Sequence, residues 1–405
     1  MNYRATLSDT LFLLVLFFLV AGRLTIDTLG IKIGGKIENL ALLVLVAGFL
    51  SDLCFRGLIR RVAQFLQYGL LLLGLGLFIG LAANLSGDSF EQLFRMSVQA
   101  LTGIVLGGWI HARFKNRFDW VIALIIAFAV LQIGTPWTNL SNSELEGAFG
   151  HRNLQSAFYV LSFPLLMFAF MKNGWWKSVP HRLGLGIILL SQLAFILISR
   201  SRSGLIGFLV MAMAGCFLSR MSGLWKKLNL KYALPGAVVI IGAVVAVSPR
   251  FIGMTHEIGD PYPLSRAGVW SAALEGFKQP QRFLAGAGMG EGYFKAIQES
   301  SMGNLSQRYR RGHHPHCLYL QWLYWGGILA LVGWFWILAD LGAILKSRNM
   351  SWQEILLGSS LAGYVCLEIF ETALKNGRIH TLFWLNASLL ILLAIGRSGR
   401  QRTQE

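Results

Sequence analysis

The sequence predicts an all-α, polytopic integral membrane protein, and three observations lead there. Of 405 residues, 55% are hydrophobic and only 14% are charged, against about 25% charged in a soluble globular chain. Mean hydropathy is +0.56. Apolar runs of roughly 17 to 25 residues, enough to cross a bilayer core as a helix, recur from one end to the other. Lipid offers no partner for backbone polar groups, so the spanning elements must pair their own N–H and C=O groups, as helices do.

The runs give about twelve transmembrane helices, near residues 8–22, 38–54, 64–84, 95–112, 118–134, 154–171, 183–199, 203–219, 232–248, 317–344, 353–374 and 379–396. The first, with Arg4 before it, lacks a small-x-small cleavage pattern and reads as a retained span rather than a signal peptide. The link from Ser199 to Ser203 is short enough to force a tight hairpin between the seventh and eighth spans. No fixed-period repeat or low-complexity tract appears, so residues 1–405 read as one integral membrane domain.

Orientation follows from the basic residues. Arg56, Arg60 and Arg61 share one loop, Arg113, Lys115 and Arg117 a second, and Lys172, Lys177 and Arg182 a third. Arg220, Lys226, Lys227, Lys231, Lys346, Arg348 and the arginines of the tail fall on that same side of a twelve-span count. The excess puts both termini in the cytoplasm. It also accounts for the net charge of +17 without nucleic acid as a partner. Cys54, Cys216 and Cys366 lie in or beside apolar runs and Cys317 at one mouth, with no CxxC spacing, so neither a disulfide framework nor a zinc site is indicated.

One external loop is large, residues 249–316 between the ninth and tenth spans. Within it Ala267, Trp270, Leu274 and Phe277 recur at helical spacing, an apolar stripe for the bilayer surface or the bundle. The glycines of GAGMGEG at 286–292 follow no strand, so they predict a turn in which backbone approaches a neighbour or ligand, not a dinucleotide site.

The residues suited to chemistry gather on this external face. GAFGHRN carries His151, Arg152 and Asn153; SRSRSG carries Arg200 and Arg202; Arg266 opens the loop helix; and RRGHHPH brings Arg310, Arg311, His313, His314 and His316 to the mouth of the tenth span. A guanidinium stays charged and presents a planar fork suited to phosphate. Arg202, squeezed between two spans, and Arg266, at a helix start, are costly cations unless an anion is held there. Arg200 can snorkel to lipid phosphate. HHPH lacks the i, i+4 spacing of a helical metal pair and no carboxylate lies nearby in sequence, so no metal is assigned. His316, last before the apolar run, is the candidate general base or the donor that orients an acceptor hydroxyl. The aromatics after it read as interface anchors for the span. Glu368 and Glu371, three apart on one face of the eleventh span, read as an ion-pair relay with Lys375 and Arg378.

The ordered set GxFxHxN before a span, SxSRxG between two spans, an Arg-led segment ending in a GxGxG turn, and HxHxxYLQ entering the next span resembles the O-antigen ligase and polymerase superfamily, over roughly residues 145 to 335. Within it the chain looks most like an O-antigen ligase. The resemblance implies a metal-independent, inverting glycosyltransferase of the C type in the bacterial inner membrane. Its donor would be a glycan on undecaprenyl diphosphate, its acceptor a sugar hydroxyl of lipid A–core, and its active site periplasmic. By the same resemblance Arg202 and Arg266 bind the donor diphosphate and His316 is the base or acceptor-activating group. His151, Asn153, Arg200, Arg310, Arg311, His313 and His314 are supporting candidates. Asn is common in the family where this chain has Cys317. O-antigen polymerases and protein oligosaccharyltransferases are sibling activities with the same donor. A transporter or flippase is the reading from another class, and it calls for internal repeats that this sequence lacks.

Overall fold

A computed structural model describes residues 53–83, 85–113, 151–171, 179–198, 201–224, 270, 273–274, 276–289 and 315–402. Among them all regular structure is helical: α1 (Leu53–Phe65), α2 (Gln67–Ala83), α3 (Gly87–Arg113), α4 (Arg152–Met171), α5 (Val179–Ile198), α6 (Arg202–Met221), the short α7 (Pro280–Ala285), α8 (Leu318–Ile344), α9 (Trp352–Leu367), a 3₁₀ turn (Ala373–Lys375) and α10 (Gly377–Arg402). Four stretches are long and apolar enough to cross a membrane, Gly87–His111, Arg202–Met221, Leu318–Ile344 and Gly377–Ser398, and α1 with α2 makes a fifth if that bent pair is one span. The chain is a multi-pass membrane protein. The spans expected near 8–22, 118–134 and 232–248, all but the last two residues of 38–54, and most of the loop 249–316 lie outside the described residues.

The basic segment expected as a loop before the span 64–84 is helical. In α1 Leu58, Ile59, Val62 and Phe65 face the core while Arg60, Arg61 and Gln64 are exposed. The chain then turns by 78° into α2. This is the pattern of an amphipathic helix lying along an interface before a span descends.

The bundle is built from tight pairs: α2 lies along α8, α3 along α10, and α6 along α9. In lipid, apolar helices gain little hydrophobic drive toward one another, so association depends on close packing of small residues. A Cβ on Gly76 of α2 would lie 2.8 Å from the Gly326 carbonyl, one on Gly107 of α3 would lie 2.9 Å from the Leu385 carbonyl, and one on Gly207 of α6 would lie 2.9 Å from the Gly363 carbonyl. Each pair therefore crosses at a bare backbone.

Two expected spans are interrupted. Helix α8 breaks at Gly326 and Gly327, where Gly327 takes φ 66°. A helix would use the Tyr324 carbonyl internally; here the break frees it to accept from the Ala287 N–H at 2.6 Å. The turn 286–289 thus meets a neighbour, as its glycines imply, with Gly286 and Gly288 at φ 75° and 83°. The eleventh helix ends at Leu367, not at 374. There the Glu368 carboxylate takes the Leu374 N–H at 3.1 Å and the Glu371 carboxylate takes the Thr372 N–H at 3.2 Å. Side-chain acceptors that capture nearby backbone donors compete with a continued helix. Glu368 and Glu371 therefore do not share a helical face.

The aromatics that follow His316 are core, not interface anchors. Trp322, Tyr324 and Trp325 are buried, with Trp322 packed edge-on to Trp325 at 5.2 Å and against Trp334 at 5.4 Å, and Trp334 against Phe383 of α10 at 5.2 Å. The loop covers Tyr324. Ala273 and Phe277 pack on Tyr324, while Leu274 of the expected stripe faces outward. Ala267 lies outside the described residues.

Candidate active site

The site forms where four segments meet: the mouth of α8, the loop after α9, and the first turns of α4 and α6. The mouth is tied to the end of α9 by the Leu318 N–H donating to the Glu368 carbonyl and by the Tyr319 hydroxyl donating to the Val365 carbonyl, both at 2.9 Å. On the other side Trp270 Nε1 donates to the Pro315 carbonyl at 2.9 Å and stacks on Phe370, with ring centroids 6.4 Å apart. Held between these ties, His316 adopts φ 47°, and no other described non-glycine residue has a positive φ. A non-glycine residue in the left-handed region is uncommon, and such strain persists where the surroundings over-determine it.

This backbone turn aims the imidazole at Glu371, with His316 Nδ1 3.1 Å from Glu371 Oε1. The carboxylate is buried, its side chain 6% exposed, against 32% for the histidine. Its other oxygen accepts from Asn153 Nδ2 at 2.5 Å. Asn153 Oδ1 in turn accepts from Ser201 Oγ at 2.8 Å, and Ser201 Oγ accepts from the Gly204 N–H at 3.1 Å as N-cap of α6. An ionised carboxylate only accepts, so every direction in this line is fixed. A neutral His316 therefore presents Nδ1–H to Glu371, the tautomer in which Nε2 is the nitrogen able to take up a proton.

Burial would push the Glu371 carboxyl up, but the hydrogen bond and charge of His316, the Asn153 amide and the charge of His151 outweigh it and hold it at about 2. Glu368, three residues earlier, is pushed well above its ordinary range by burial. Two carboxyl groups in one loop are thus pushed in opposite directions by their surroundings. The ion-pair relay expected from sequence does not form around Glu371. Lys375 faces Arg95 and Asp88 instead, with burial and then the Arg95 charge holding it down to about 8. Burial pushes the Cys317 thiol up, which leaves it a poor nucleophile.

Arg202 is the first residue of α6, directly after the cap Ser201. The serine spacing of SRSRSG becomes intelligible here. Ser201 caps the helix, and a Cβ on Gly204 would lie 2.5 Å from Ser156 Oγ, so glycine allows α6 to close on α4. His151 precedes α4 and is exposed, and Asn153 is buried in the first turn. The structure therefore joins His316, Asn153 and the opening of Arg202's helix, with His151 at the edge. Arg200, Arg266, Arg310, Arg311, His313 and His314 lie outside the described residues. Among the described residues no three His, Cys, Asp or Glu side chains gather as a metal site requires. Sequence reasoning passes over Glu371 as a partner of His316. The available signal is a carboxylate close to the end of an apolar run, but a sequence separation of 55 positions hides the pairing.

Residues 185–335 match the family model described as O-antigen ligase. That stretch includes Arg202, Arg266 and His316, and leaves Asn153 and Glu371 outside it. No curated protein matches the chain.

Proposed function

We propose that this chain, of O-antigen ligase type by its residues 185–335, transfers a glycan from undecaprenyl diphosphate to a sugar hydroxyl of lipid A–core, on the periplasmic side of the bacterial inner membrane and without a metal. The family supports a glycosyltransferase-like ligase or polymerase in general. The observation that carries the finer reading is the His316–Glu371 pair joined through Asn153 and Ser201 to the helix that Arg202 opens.

That arrangement suits one displacement. The acceptor hydroxyl gives its proton to His316 Nε2 while its oxygen attacks the anomeric carbon from the face opposite the diphosphate. The anomeric C–O bond breaks, its electron pair leaves on the undecaprenyl diphosphate, and the configuration inverts. Charge then develops at two places. The imidazolium forms against the Glu371 carboxylate, and the added negative charge on the diphosphate meets Arg202, with Arg266 as second cation. Fixed charges aimed at developing charge are worth most in a water-poor site. Removing one such donor costs on the order of 10²- to 10³-fold in rate.

Acceptor choice separates ligation from polymerisation, and lipopolysaccharide from a deletion strain tests it. Loss of a ligase leaves bare core, with the glycan stranded on its lipid carrier. Core bearing a single repeat unit identifies a polymerase and overturns the ligase reading.

A further inference from the structure

We infer that Asn153 is a positioning residue, the strap that fixes the base end of the site relative to the diphosphate end, a role that rests on the transfer reading above. The two ends belong to elements remote in sequence: His316 and Glu371 stand at the mouth of α8 and in the loop after α9, whereas Arg202 begins α6. Among the described hydrogen bonds, a buried amide crosses between them. Asn153 is 8% exposed and Ser201 2%, and both polar ends of the amide are engaged, Nδ2 toward Glu371 and Oδ1 toward Ser201.

The chemistry of the two neighbours leaves little freedom at this position. Toward Glu371 the strap must donate, because the ionised carboxylate only accepts; toward Ser201 it must accept, because the serine hydroxyl offers its hydrogen there while its lone pair takes the Gly204 N–H. Asparagine supplies one donor and one acceptor on a short, planar group. Aspartate offers acceptors at both ends and would set a second buried carboxylate against Glu371. Leucine or alanine would leave the carboxylate's second oxygen and the serine hydroxyl without this partner. A well-placed base and anion site lose rate steeply on misplacement of about 1 Å, so a device that sets their separation acts on turnover rather than on binding.

The geometry also specifies a rescue, in which Asn153→Asp is combined with Glu371→Gln. The amide introduced at position 371 can donate its N–H to the carboxylate introduced at position 153, while its carbonyl oxygen accepts from His316 Nδ1–H. The carboxylate at position 153 still accepts from Ser201. Every bond of the line is kept, and only the donor and acceptor between positions 153 and 371 exchange places.

The experiment uses purified full-length protein, undecaprenyl-diphosphate-linked glycan and lipid A–core, and reads kcat and donor KM per folded molecule. Asn153→Asp should lower kcat by roughly 100-fold or more, with donor KM little changed, given the rate lost on misplacing a reacting group. Adding Glu371→Gln to it should raise kcat at least about tenfold above the Asn153→Asp protein, the sign of a direct contact between the two positions. Ser201→Ala, which adds no charge, should lower kcat by roughly 5- to 10-fold for one lost hydrogen bond, and it decides the matter if Asn153→Asp fails to fold. A double variant no faster than Asn153→Asp, or a Ser201→Ala protein with wild-type kcat, overturns the strap. Wild-type, His316→Ala and Arg202→Ala proteins run alongside: if the wild-type protein transfers no glycan, the transfer reading itself falls, whereas if wild type is active, both variants are inactive and no rescue appears, only the strap does.

Discussion

Replacing Glu371 by alanine isolates what the carboxylate contributes. In the wild-type protein it receives His316 Nδ1–H at 3.1 Å, Asn153 Nδ2–H at 2.5 Å and the Thr372 N–H at 3.2 Å. Only the first touches the imidazole itself. A hydrogen bond to a charged group contributes about 1.5–3 kcal/mol, and about 1.4 kcal/mol is a factor of ten in rate. Glu371→Ala should therefore lower kcat by roughly 10- to 150-fold in a transfer assay with purified protein, with donor KM nearly constant because no arginine is touched. Stability should also respond to pH in a defined direction. The folded carboxyl is held at about 2, below its ordinary 4.5. Its contribution is therefore present above about pH 4.5 and lost as pH falls toward 2. The difference in thermal midpoint between wild type and Glu371→Ala should shrink across that window. Wild-type kcat in a folded Glu371→Ala protein would refute the role given to the pair.

Three further outcomes follow from the packing and the proposed chemistry. Gly80→Val places a side chain into the Trp325 carbonyl of α8, whereas Gly74→Ala on the same helix meets nothing within 4 Å; the first should yield aggregated protein in detergent, the second a wild-type elution profile. Arg397→Ala removes the guanidinium that lies 3.1 Å from Glu354 and leaves a buried carboxylate uncompensated, a loss of ~3–5 kcal/mol visible as a lower melting midpoint; an unchanged midpoint contradicts it. Excess chelator should leave the transfer rate unchanged, and loss restored by a divalent ion would contradict the metal-free reading.

The spans and their approximate limits are legible in the sequence because apolar length is set by the bilayer: the expected 154–171, 183–199 and 203–219 correspond to α4, α5 and α6 within a few residues. The chemistry-bearing residues are legible where strong residue types stand at strange places, as with Arg202 between spans and His316 at a mouth. What stays hidden depends on non-local capture of hydrogen bonds. The run 353–374 carries no proline or glycine signal at Leu367, and it stops there because Glu368 and Glu371 take backbone N–H groups that a helix would have used. Once it stops, Glu371 leaves the helical face assumed for it and reaches His316. Trp322 and Trp325 likewise mimic interface anchors in sequence, because only the fold shows them packed on each other inside the bundle core. Asn153 reads as a minor supporting residue until its two polar ends are seen to bridge Glu371 and Ser201.

The central claim is that His316 takes the acceptor proton. Its most direct test is the initial rate of glycan transfer from undecaprenyl diphosphate to lipid A–core by purified, folded His316→Ala protein. General-base catalysis contributes on the order of 10²- to 10⁴-fold, so the rate should fall by at least about 100-fold with donor binding retained. Transfer at the wild-type rate would contradict the account.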